Sequence, residues 1–246
     1  MRAPFMAPFA TRSFRFQWPA DLCTAWALEM ETLILGWYVL VQTGSVLLLT
    51  IFGALQFVGT LASPLLGTLA DRVGLRRVLA CMRFAYAALS GVILLLAATG
   101  QLSPWAVLAV AGVAGMVRPS DIGMRTALVG ATVPAQHLMA AMGISRTSMD
   151  SAKVAGALAG AGVVAMFGMV VAYVAITGIH LAGALLTLRA DSGHHPAQPA
   201  QSQVAAPRPS PWHALREGLA HVWHTPVLRA AMAVAALVNL SAFPLS

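Results

Sequence analysis

Long apolar runs separated by short polar breaks dominate the first three-quarters of the chain. The first run covers about Ala20 to Gln42 and turns at Thr43-Gly44-Ser45 into a second, about Val46 to Leu66. A third spans about Val78 to Ala98, and Thr99-Gly100-Gln101-Leu102-Ser103-Pro104 links it to a fourth beginning near Trp105. That fourth run ends between Pro119 and Val133, where Arg118, Asp121 and Arg125 blur the boundary. A polar connection through Pro134, Gln136 and His137 leads to a fifth run, about Leu138 to Met166, and a sixth follows the Phe167-Gly168 break to about Leu188. A helix needs about 20 apolar residues to cross hydrocarbon, and runs of this length predict spanning helices. A β-barrel would instead alternate over segments of about 10 residues.

The remaining quarter reads differently. Arg189 to Pro211 is rich in Pro, Gln, Ser and His and has no apolar periodicity, the mark of a flexible linker. Trp212, Leu215, Leu219, Val222 and Trp223 then recur at helical spacing beside Arg216, Glu217 and His221, which predicts a helix lying at a membrane surface. The expected organisation is therefore an arm over residues 1–19, spanning helices one to three over 20–98, four to six over 103–188, a linker over 189–211, an interfacial amphipathic helix over 212–225 and a seventh spanning helix over 227–246, where the chain stops.

Composition narrows the class. Hydrophobic residues make up 59% of the chain, charged residues 9%, and the mean hydropathy is +0.77. A soluble domain of this size cannot hide that much apolar surface in one core, so an all-α integral membrane protein is expected. Frequent Gly and Ala suit close helix contacts in lipid. The net charge of +7 does not mark a nucleic-acid binder, because the basic residues are spread over connections and not gathered in a patch. They fall in the N-terminal arm, the second-to-third and fourth-to-fifth connections, the segment after the sixth helix, or adjoining helix ends, whereas the alternate turns carry none. By the positive-inside rule this predicts a multi-pass membrane protein with its N-terminus in the cytoplasm. Cys23 and Cys81 are both expected near cytoplasmic helix ends, which argues against a disulfide. The first 19 residues lack an apolar core and cleavage site, so they do not read as a signal peptide.

Between the second and third runs stands Gly67-x-x-x-Asp71-Arg72-x-Gly74-x-Arg76-Arg77. A charge in hydrocarbon costs at least ~2.5 kcal/mol, so this stretch marks a membrane face, with Gly67 and Gly74 expected to provide the turn. Its spacing resembles the signature loop of the major facilitator superfamily of secondary transporters; Leu75 departs from it, standing where the family often has a further basic residue. The resemblance covers essentially the whole chain. It implies an N-terminal half-bundle of six helices, made of two inverted three-helix repeats, followed by the opening of a second half, with substrate held between halves at mid-membrane. A missing C-terminal half or a second bundle is then the expected partner, alongside the lipid bilayer. Arg118-Pro119-Ser120-Asp121 through Arg125, and Leu138-Met139-x-Ala141-Met142, look most like bacterial exporters of drugs and siderophores. Gly156-Ala157-Leu158-Ala159-Gly160-Ala161 sits where such exporters often show Gly-Pro-x-x-Gly-Gly, and Ala157 departs from that pattern. Gly156 and Gly160 are expected to serve close helix packing.

Glu29 and Glu31 lie roughly 12–15 Å along the first helix at about 1.5 Å per residue, close to the bilayer centre. Ionisable groups there are functional candidates by default. The two acids point about 200° apart. Asp21, Thr24, Glu31, Tyr38 and Gln42 fall near one stripe, whereas Glu29 shares a face with Leu22, Leu33, Gly36 and Trp37. Glu31 is therefore expected to face the aqueous pathway and couple protonation, or another ion, to movement of a small-molecule substrate, with Glu29 second. The competing reading, that either acid merely pairs with a basic residue, stands beside it. Arg118, Asp121 and Arg125 at the inner end of the fourth helix, and Arg146, Asp150 and Lys153 on the fifth, have spacings that permit local ion pairs. The resemblance implies that Asp71 meets a fourth-helix arginine to lock an inner gate; the alternative is that these charges are interfacial anchors.

Gln56, Thr60 and Ser63 line one face of the second helix, and Trp26, Trp37 and Tyr38 offer aromatic surface. His221 and His224 lack a Cys or carboxylate to complete a metal set, so neither metal nor cofactor is expected. No phosphate-binding loop of the nucleotide-driven pumps appears, and no paired His or Ser-based site marks an enzyme. The expected function is ion-gradient-driven export of small amphipathic molecules. A truncated or accessory subunit that transports nothing is the alternative.

Overall fold

The computed structural model describes residues 4–60 and 63–190, and no strand occurs among them. A 3₁₀ helix, Pro4–Ala10, leads into α1, Arg12–Thr43. Then follow α2, Val46–Leu55, a 3₁₀ turn, Val58–Thr60, α3, Ser63–Val73, α4, Leu75–Ala98, α5, Pro104–Thr132, and α6, Ala135–Arg189. By length and composition α1, α4, α5 and α6 are each able to cross a membrane. The interfacial helix, the seventh span and all of the linker beyond Ala190 lie outside the described residues.

Backbone chemistry accounts for the breaks. Gly44 caps α1 in the left-handed conformation, φ 63°, with its N–H bonded to the Leu40 carbonyl, and the Ser45 hydroxyl accepts from the Leu48 N–H to start α2. Ser103 and Pro104 open α5 in the same manner, the serine accepting from Ala106 N–H. Inside the 55-residue α6, Gly168 takes φ 81° and ψ 175° and divides the helix into two arms, 135–167 and 169–189.

Some placements differ from the sequence expectation in ways that bear on the polar residues. α1 begins at Arg12, ahead of the expected Ala20, and carries Pro19 within it, because Phe14 in its first turn is fully buried beside Val129, Val133, Ala141 and Ile144. Gly67 is not a turn: α3 continues through Asp71 and Arg72 to Val73, and the turn rests on Gly74 alone, at φ 102°. α5 ends at Thr132, inside the expected range of Pro119 to Val133, and this puts Arg118 midway along it and not at its inner end.

Close backbone approach organises the packing. The two arms of α6 hold α1 between them: a Cβ on Gly160 would sit 3.0 Å from Met30 Cα, one on Gly156 3.1 Å from the Trp26 carbonyl, and one on Gly183 3.2 Å from the Ala20 carbonyl. Gly59 and Gly115 bring the 3₁₀ turn against α5, where a Cβ on either would overlap the opposing backbone. The main core joins Met30, Ile34, Val39, Phe52, Ile93, Val107, Tyr173 and Ile176. On the outside, Leu47, Trp105, Leu158, Met166 and Leu185 are exposed, an apolar coat that suits lipid.

Connections sort to two ends. Arg76 Nη1 donates to the Ala190 carbonyl at 2.8 Å, placing the Gly74 turn beside the end of α6, while the Tyr38 hydroxyl donates to the Leu102 carbonyl at 2.8 Å at the opposite end. The uncharged turns at Gly44, Gly100 and Gly168 belong to that second end by chain direction.

Candidate functional site

Polar side chains inside the bundle form two layers. In the layer nearer the Gly74 end, Asp21 of α1 is ion-paired with Arg83 of α4, which also donates to the Thr187 hydroxyl of α6. Beside it, Arg125 pairs with Asp121 one turn back on α5, and Gln17 Nε2 donates to the Arg125 carbonyl at 3.0 Å. Arg83 and Asp121 are fully buried and Arg125 nearly so, and the pairing answers the desolvation of each charge. Four helices are thereby fastened at one depth.

The second layer lies further along the helices. Arg118 donates to Gln56 and, at 3.0 Å, to the Thr32 hydroxyl, and its guanidinium stands 3.8 Å from Glu29. Glu31, Thr32, Gln56 and Arg118 line one small cleft with Leu28, Phe52 and Gly115. Glu31 itself accepts from the Ser90 hydroxyl at 3.2 Å, and its other oxygen is 3.7 Å from His180 Nε2. Arg118 and Glu29 keep 20% and 28% of their side-chain surface exposed, so this layer, unlike the first, opens partly to its surroundings.

Several expected residues move. Asp21, placed on a water-facing stripe with Glu31, is instead buried against Arg83 because α4 and α6 close over that part of α1. Glu29, placed on the face away from the pathway, is reached by the long Arg118 side chain from α5. Asp71 is exposed and forms no ion pair with Arg118 or Arg125 in this conformation, since those arginines are engaged by Glu29 and Asp121. Nor are Arg118 and Arg125 interfacial anchors, one being mid-helix and the other buried. Arg146, Asp150 and Lys153 pair along α6 at 3.2 and 3.6 Å, well exposed. Thr60 bonds its own backbone at Phe57, Ser63 accepts from Ser120, and Trp37 is exposed on the outer surface. His221 and His224 lie outside the described residues.

Arg83, Ser90, Thr187 and His180 were not singled out from the sequence. Arg83 and His180 each carried a usable signal, an ionisable residue within an apolar run. The hydroxyls carried none.

Among known proteins, the family model described as Major Facilitator Superfamily matches residues 18–245. No curated protein matches the chain.

Proposed function

Since the chain belongs to the Major Facilitator Superfamily and is a membrane transporter of that type, we propose that it is driven by a proton gradient through Glu31, with Glu29 and Arg118 forming the polar floor of the substrate path. The observation that carries this reading is the half-open cleft of Glu31, Thr32, Gln56 and Arg118 midway along the long apolar helices, whose other interior charges are closed off in the first layer. A carboxyl group that deep is kept where proton uptake changes what the cleft attracts. The helices, counted with 46–73 as one broken span and the two arms of α6 separately, supply six passes, in keeping with an N-terminal half-bundle whose partner is a C-terminal half or second bundle. The exposed Arg146, Asp150 and Lys153 support that partner, because charges on the outside of a spanning arm, even paired with one another, need water or another bundle beside them.

The proposed orientation puts Gly74 and the N-terminus in the cytoplasm of a bacterium, with the arginine-rich connection Arg72, Arg76 and Arg77 on the inner face and Arg76 clamping α6 through Ala190. Asp71 is proposed to serve the inner gate in another state of the transport cycle. The proposed cargo is small amphipathic molecules moving outward, in keeping with a cleft that sets an arginine and an acid among Leu28, Leu35 and Phe52.

Glu31→Gln tests the reading. In inside-out vesicles with an imposed pH gradient, the variant is expected to lose at least tenfold in gradient-driven flux while reaching wild-type levels in the membrane. Gradient-driven flux equal to wild type removes Glu31 from the mechanism.

A further inference from the structure

The interior charges pair off with one remainder. Among the described residues inside the bundle, Asp21 is matched by Arg83, Asp121 by Arg125 and Glu29 by Arg118. Glu31 has no guanidinium partner in that set. The cation-forming group against it is His180, on the second arm of α6, 0% exposed and 3.7 Å from Glu31 Oε2. Neither ring nitrogen of His180 has a hydrogen-bond partner, an uncommon state for a fully buried imidazole. From α4, Tyr86 lays its ring 5.7 Å from the imidazole, and Ser90 holds the other oxygen of Glu31. From α5, Asp121 lies within electrostatic range of His180. Tyr173, about two turns away on α6, lies within range of Glu31.

From this juxtaposition we propose that His180 is the inner half of the proton site: Glu31 and His180 share one proton, which the carboxyl takes up from the cleft and passes to the imidazole. The proposal rests on the assignment of proton coupling to Glu31 and extends it to a residue that does not touch the cleft. The step balances. The O–H bond at Glu31 Oε2 breaks, an N–H bond forms at His180 Nε2, and a neutral acid and neutral imidazole become a carboxylate and an imidazolium with no net charge change. Inside a low-dielectric bundle that neutrality decides the matter, because loss of the proton from both groups would leave a bare carboxylate beside a single serine. At 3.7 Å the pair is at ion-pair and not hydrogen-bond separation, and a closure of about 0.8 Å, or one bridging water, makes the path continuous. With the proton on His180, Glu31 is again a carboxylate in the cleft that holds Arg118. Uptake at the cleft surface is thereby separated from storage beneath it.

His180→Gln tests this. The variant removes the imidazolium that supports the Glu31 carboxylate, so the midpoint of the pH profile of gradient-driven flux is expected to rise by about one pH unit, a tenfold change in proton affinity. An unchanged midpoint, in a background where Glu31→Gln abolishes gradient-driven flux, overturns the relay and leaves Glu31 in place. If Glu31→Gln keeps that flux, the underlying assignment fails and the relay with it. Should His180→Gln not accumulate, ¹⁵N NMR of the imidazole in the otherwise unaltered chain decides. Its ring signals should report a protonated imidazole in the parent chain and change when Glu31 is replaced by Gln. Ring signals indifferent to the replacement of Glu31 would refute it.

Discussion

Arg83→Leu is expected to destabilise the bundle by about 3–5 kcal/mol, the effect of removing one partner of a buried ion pair. Arg83 has no exposed surface, and Asp21 beside it is nearly closed off. The truncation leaves a carboxylate inside four packed helices. Thr187 is less affected, because its hydroxyl also donates to the Gly183 carbonyl at 2.7 Å. Replacing both partners, Asp21→Leu with Arg83→Leu, removes the stranded charge and is expected to recover most of the loss, since apolar substitutes for a buried pair are often neutral. Thermal unfolding in detergent checks both. If the single variant melts within a degree or two of the parent, the first polar layer does not hold the helices together.

Arg118→Lys is expected to lower transport by about ten- to a hundredfold, and Arg118→Ala to abolish it, with smaller effects on melting than at Arg83. The guanidinium bonds Thr32 of α1 and Gln56 at the end of α2 while facing Glu29. An ammonium is a point charge that cannot hold this forked geometry. Each charged hydrogen bond lost is worth about 1.5–3 kcal/mol, which is that range of rate when the contact matters in the transporting state. The side chain keeps 20% of its surface exposed, so hydration softens the cost to the fold. Initial rates in vesicles, normalised to protein in the membrane, measure the first effect and thermal unfolding the second. A lysine variant that transports at the parent rate would show that Arg118 is scaffolding.

How far the chain could be read beforehand differs from layer to layer. Apolar runs and the glycines at 44, 100 and 168 are local signals, and local signals place helices and their turns. The acids in the first helix were visible for the same reason, since a carboxylate in an apolar run stands out. Their partners were not: Asp21 and Arg83 are joined by folding alone, as are Glu29 and Arg118. Helical phase on α1 sets Glu29 and Glu31 in different directions, but a side chain as long as arginine reaches an acid from a neighbouring helix. Charges at 118, 121 and 125 looked like the end of a helix because unpaired they would be; paired within the bundle, they let α5 continue to Thr132. Gly67 resembled a turn residue, yet nothing lies within 4 Å of where its side chain would be and its backbone is helical.

Glu31 and Arg118 are near the middle of the membrane only if the turns at Gly100 and Gly168 lie across it from the turn at Gly74. Single cysteines at Val73, Gln101 and Phe167, introduced with Cys23 and Cys81 changed to serine, test this with a membrane-impermeant maleimide on intact cells. Gln101→Cys and Phe167→Cys are expected to label from outside, and Val73→Cys only after the membrane is opened. Labelling of all three from the same side would contradict the account.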